Sequence, residues 1–133
     1  MPAASSATYP VVSRAGRAVL VEDHDDLRDA ITEWLESAGW VVRAYASADA
    51  ALLSVRSELP DVVVTDFNTG TLSGPALARE LRLDPSTRGV AIVGMSGSLE
   101  PSPAMLRFFD AFLPKPVVLA ELEALMRRAS TSR

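Results

Sequence analysis

Five short apolar runs recur along the chain, at 18–21, 40–44, 62–65, 90–95 and 111–113, and the apolar positions between them fall at helical spacing. Short runs rich in β-branched and aromatic residues predict strands buried on both faces. Leu27, Ile31, Trp34, Leu35 and Ala38 recur at three- and four-residue steps and predict a first helix, with Gly39 as its stop. Ala48, Ala51, Leu52, Val55 and Leu59 repeat the pattern, with Ser47 placed to cap it and Pro60 to end it. A third helix is predicted over 75–82, its stripe formed by Leu77, Ala78 and Leu81. The last is the clearest: Val118, Leu119, Leu122, Leu125, Met126 and Ala129 are predicted to share one face. Between 99 and 110 the pattern weakens. Pro101 and Pro103 each remove a backbone donor, which leaves room for only a short helix over 103–109.

Strand–helix alternation with short connections predicts an α/β fold of three layers, a central parallel sheet covered on both faces. Five such units predict a flavodoxin-like (βα)5 arrangement with strand order 2-1-3-4-5 and a short or irregular fourth helix. In that order the ligand site lies outside the carboxyl ends of strands 1 and 3. Residues 1–16 are small, polar and Pro-containing without periodicity, and read as a tail or linker. The folded unit is expected over 17–129, with 130–133 as a short tail. No output domain is expected after the last helix, and both a stand-alone chain and a piece of a larger protein fit the pattern.

Composition narrows this picture without redirecting it. A length of 133 residues fits one domain, and 48% hydrophobic with 23% charged residues is an ordinary globular balance. The net charge of −4 leaves no basic footprint, so direct nucleic-acid binding is not expected. No stretch approaches the roughly 20 apolar residues that span a bilayer, and the first residues lack the charged start and apolar core of a secretory signal. The absence of cysteine excludes disulfide and thiol chemistry and fits a cytoplasmic location.

The chemistry gathers at the strand ends. The first strand runs straight into Glu22 and Asp23, and the third into Asp66. In the predicted order those strands are neighbours, so three carboxylates converge. Such groups repel unless they bind protons or share a cation, and a hard ion such as Mg2+ suits them. Any single acid at a strand end also serves as a turn former; the convergence of three is what points to function. The fourth strand delivers Ser96 and the fifth delivers Lys115 to the same rim. An ammonium suits a phosphate oxygen, and a hydroxyl can donate to another. Asp66 can therefore attack phosphorus to form an aspartyl phosphate, with the cation and Lys115 neutralising the phosphoryl oxygens and Ser96 drawn inward afterwards.

The set Glu22-Asp23, Asp66, Gly74, Ser96 and Lys115-Pro116 resembles the response-regulator receiver domain of two-component signalling over about residues 17–129. The resemblance implies that Glu22, Asp23, Asp66 and the backbone carbonyl of Asn68 hold Mg2+. It implies that Asp66 takes a phosphoryl group from a histidine kinase or phosphotransfer protein. It also implies that Ser96 is the switch hydroxyl and Phe112 the switch aromatic. No turnover beyond the domain's own phosphorylation and dephosphorylation is expected. Two departures stand out. Thr69-Gly70 replaces the family's common Met-Pro and predicts a more flexible loop, and the span from Ser96 to Lys115 is short, as in receivers attached to hybrid kinases.

His24 reads as a solvated loop residue beside the acids, and Asp25 and Asp26 as acids favoured by a helix dipole. Met105, Phe108 and Phe109 fit either a partner surface or the core. The string from Asp66 to Leu72 superficially resembles the nucleophile motif of haloacid-dehalogenase-like phosphatases, but Asn68 stands where those enzymes place a second Asp, and the only acids after Lys115 are Glu121 and Glu123. The other alternative is a pseudo-receiver, a protein-binding module that keeps the fold and never accepts phosphate.

Overall fold

A computed structural model describes residues 15–97 and 102–132. The elements run β1 (Gly16–Val21), α1 (Asp25–Ser37), β2 (Trp40–Tyr45), α2 (Ala48–Ser57), β3 (Val62–Asp66), α3 (Gly74–Leu83), β4 (Ala91–Ser96), α4 (Pro103–Leu106), β5 (Ala111–Pro114) and α5 (Leu119–Thr131). The five strands form one parallel sheet in the order β2-β1-β3-β4-β5. This is the flavodoxin-like arrangement that the alternation of runs predicts.

Strand side chains alternate in direction, and that splits the core in two. Ala18, Leu20, Val62, Val64 and Val93 pack with Ile31 and Leu35 of α1 and Leu122 and Met126 of α5. Val19, Val21, Val63 and Ile92 face the other way, onto Ala51 and Val55 of α2 and Leu77 and Leu81 of α3. Both sets are fully buried. The expectation of two-sided burial holds for the three central strands and fails at the edges. β2 and β5, each paired on one side only, are largely half-exposed, because a terminal strand lacks a neighbour to cover its flank.

Serine caps set the starts of α2 and α3. Ser47 accepts from the Ala50 N–H at 3.3 Å, as its position predicts. Ser73 caps α3 in the same way, accepting from the Ala76 N–H at 3.1 Å. Two apolar positions leave their expected stripes. Leu59 lies beyond the end of α2 and is 53% exposed, and Val118 is the N-cap of α5 and 54% exposed. The fourth helix is shorter than expected, four residues ending at Leu106. The chain then turns so that Phe108 and Phe109 pack against the α2–α3 side of the core. Gly16, read as the end of the tail, opens β1 instead; residues 1–14 lie outside the described residues.

Candidate functional site

Parallel register brings the strand ends to one rim. Val21 pairs with Thr65, Asp66 with Met95 and Ser96 with Pro114, so the residues that follow β1, end β3 and β4 and follow β5 are neighbours. Glu22 is fully buried, Asp66 is 5% exposed, and Asp23 is exposed. Each of these three acids offers one oxygen, and the three oxygens lie within 4.8 Å of one another. All the donors are hard carboxylate oxygens, one of them open to solvent, which fits a Mg2+ ion that keeps several of its waters.

Lys115 crosses the rim to meet two of these acids. Its Nζ lies 2.9 Å from Glu22 Oε1 and 3.2 Å from Asp66 Oδ2. A buried carboxylate is costly unless it is paired and hydrogen-bonded. Glu22 meets that demand with both oxygens, since Oε2 accepts from the His24 N–H at 3.1 Å. Partial burial acts to lower the Lys115 pKa, but the hydrogen bond to Glu22 and the charges of Asp66 and Glu22 outweigh it and hold the ammonium above the ordinary lysine value.

The backbone around Asp66 is held from behind. The Thr65 hydroxyl donates to the Asp66 carbonyl at 2.9 Å. Gly74 passes so close that a Cβ there would sit 2.3 Å from that carbonyl oxygen, which explains a glycine at the start of α3. The Asn68 N–H lies 3.5 Å from Asp66 Oδ1, which sets Asn68 beside the acid. The loop that follows is tied down where the sequence predicts looseness. Thr69 is buried and its hydroxyl donates to the Leu72 carbonyl at 2.6 Å, while Thr71 donates to Asp49 of α2 at 3.0 Å. Gly70, at φ +84°, supplies the left-handed turn between those anchors.

Ser96 is buried beneath the same rim, and its carbonyl accepts from the Lys115 N–H at 2.7 Å. Phe112 is half-buried, its ring edge-on to Phe67 at 5.4 Å between centroids. His24 is exposed and serves as the N-cap of α1 by backbone conformation alone. Asp25 and Asp26 occupy the first turn of α1, where the dipole favours acids. Glu123 accepts from Trp40 Nε1 at 3.1 Å, at the amino end of β2 and away from the acids, so it is no part of the site.

Three contacts around the site escape the motif reading. The Phe67 ring stacks on Phe109 at 5.1 Å. Gly94 makes room for that stack, since a Cβ there would meet the two rings at 2.7 and 3.0 Å. A glycine inside a strand is a cue for such close approach. Arg28, near the start of α1, reaches back to the acids' backbone and carried no comparable signal.

Comparison with known proteins agrees with this geometry. The chain is 31% identical over 123 residues to the C4-dicarboxylate transport transcriptional regulatory protein DctD of Rhizobium meliloti, covering 92% of this chain and 27% of that protein. It is 30% identical over 115 residues to the transcriptional regulatory protein YxdJ of Bacillus subtilis, covering 84% of this chain and 50% of that one. The chain thus spans half or less of these two relatives. Among solved structures, a CheY-like receiver domain from Methylobacillus flagellatus superposes with TM-score 0.77 at 29% identity, covering 85% of this chain and 97% of the other. The receiver domain of the sensor histidine kinase PA1611 from Pseudomonas aeruginosa, which has a magnesium ion coordinated in its active-site cleft, gives 0.79 at 25% identity, covering 87% and 98%. The match to the response regulator receiver domain runs over residues 18–127, from β1 into α5, and the chain belongs to that family.

Proposed function

We propose that this chain is the phosphoacceptor module of a two-component phosphorelay and that Asp66 takes the phosphoryl group from a histidine kinase or phosphotransfer protein. One observation carries the reading: Lys115 Nζ bridges Asp66 and Glu22 at 3.2 and 2.9 Å on the rim where three carboxylates converge. A merely structural strand-end acid has no need of that company.

In the step proposed, an Asp66 carboxylate oxygen attacks phosphorus while the bond from phosphorus to the donor imidazole nitrogen breaks, and the imidazole leaves with the electron pair. Glu22, Asp23 and Asp66 would hold Mg2+, joined by the Asn68 carbonyl, and the ion would neutralise charge on the phosphoryl oxygens. The magnesium in the PA1611 receiver supports that choice of ion. Lys115 would exchange one of its carboxylate contacts for a phosphoryl oxygen. Ser96 and Phe112 would then answer the new charge of about −1.5 to −2 and alter a protein-binding surface. The domain turns over no other substrate in this reading and works in the cytoplasm. Among the described residues no helix is long and apolar enough to cross a membrane.

Incubation with acetyl phosphate and Mg2+ followed by intact mass is expected to add one phosphate to the wild type and none to Asp66→Asn. No adduct on the wild type would favour a pseudo-receiver, and an adduct that survives in Asp66→Asn would place the chemistry elsewhere. Repeated turnover of small phosphate esters would instead favour a phosphatase.

A further inference from the structure

Arg28 takes no part in the phosphoryl chemistry above, yet its guanidinium lies against the segment that carries two of the three acids. Nη1 donates to the Glu22 carbonyl at 2.9 Å, and Nη2 donates to Asp25 Oδ1 at 2.7 Å. The Arg28 N–H also donates to the His24 carbonyl at 2.9 Å. The side chain is only 19% exposed, whereas its Asp25 partner is 81% exposed. A half-buried cation is therefore aimed at a backbone oxygen, while its other arm makes only an exposed ion pair with Asp25.

The Glu22 carbonyl belongs to the peptide that joins Glu22 to Asp23, so its direction sets how Asp23 leaves the strand. Glu22 needs little help. Its N–H is bound to the Tyr45 carbonyl at 3.0 Å, and its carboxylate is held by Lys115 and the His24 N–H. Asp23 is exposed, and repulsion from Glu22 and Asp66 pushes it outward. A planar fork carried on the first turns of α1 resists that drift, and Arg holds such a geometry better than Lys.

We propose that Arg28 is a positioning residue that fixes the Glu22–Asp23 peptide in the orientation in which the acids bind a divalent cation. The proposal rests on the Mg2+ reading of the site. It also makes an unusual demand on sign. Arg28 is itself a cation, so by charge alone its removal would tighten Mg2+ binding; lost positioning weakens it.

The test is Mg2+ titration of the full chain by calorimetry at about 0.15 M salt, beside urea unfolding without Mg2+. Outer contacts that orient metal ligands typically change affinity 10–100-fold, so Arg28→Met is expected to bind Mg2+ about tenfold more weakly while still folding cooperatively. Arg28→Lys keeps the charge and loses the fork, and is expected to bind Mg2+ more weakly than wild type; it decides the matter should Arg28→Met not fold. Asp25→Asn is expected to stay within about twofold of wild type, as for an exposed ion pair. Arg28 variants that bind as tightly as wild type, or tighter, overturn the proposal. An Asp25→Asn loss as large as that of Arg28→Met also overturns it, by tracing the effect to the acid. No binding by the wild type would overturn the metal reading and this inference together, whereas wild-type binding with unaltered variants overturns the inference alone.

Discussion

Lys115 is the only lysine in the chain, and it stands between two buried carboxylates. Lysine-selective 15N labelling should therefore give a single side-chain ammonium signal. Its titration midpoint is expected above the ordinary lysine value and should move down in Asp66→Asn; a midpoint at or below the ordinary value would contradict the pairing. Because the folded-state pKa is raised, the stability this ammonium contributes is present below the unfolded pKa and is lost as pH climbs through the folded one. Loss of the pairing thus belongs to strongly alkaline solution, and Lys115 stays charged at neutral pH. Lys115, Asp66 and the acidic pair were legible in the sequence because each is delivered by a strand end. Arg28 was not, because a guanidinium gripping a carbonyl six residues back leaves no pattern in residue type.

Among the elements, the short α4 has the widest consequences. Only four residues are helical, and the space beside β4 is filled by Phe109 stacked on Phe67, the residue next to Asp66. Gly94→Ala would drive a methyl group into both rings, and overpacking of this kind costs about 1–3 kcal/mol. Urea unfolding should show that loss; an unchanged midpoint would mean the rings move aside freely. A second anchor holds the far side of the segment. Arg82 of α3 donates to the Phe108 carbonyl at 3.2 Å and to Asp110 Oδ2 at 2.8 Å, and the same Asp110 oxygen accepts the Ile92 N–H at 2.7 Å. Asp110→Ala is expected to destabilise by about 1–3 kcal/mol, since it removes the acceptor of the partly buried Ile92 N–H and the carboxylate paired with Arg82. The prolines at 101 and 103 announced a poor helix. What would replace it could not be read there, because Phe67 follows β3 and Gly94 lies within β4, both distant in sequence.

Taken as a whole, the molecule gathers three carboxylates and one ammonium at one end of the sheet, so the rim is acidic before any ligand arrives. A ligand that binds only the folded state stabilises it by RT ln(1 + [L]/Kd), about 2.7 kcal/mol at a hundredfold excess over Kd. Saturating Mg2+ should accordingly raise the unfolding midpoint of the wild type and leave Asp66→Asn nearly unmoved. An equal rise in both would mean that the ion acts elsewhere.

The apolar rhythm was enough to predict five strands and alternating helices, and the flavodoxin-like order expected of such units put Glu22, Asp23, Asp66, Ser96 and Lys115 on a common rim. Those features depend on periodicity and on short, right-handed connections, which are properties of neighbouring residues. Only the folded chain decided that β2 and β5 would be half-exposed edges, that Thr69 and Thr71 would tie down a loop with no proline, and that Phe109 would seat on Gly94. It also placed Arg28 behind the acids. Each of these depends on how one element lies against another, and residue order does not state that geometry until packing sets it.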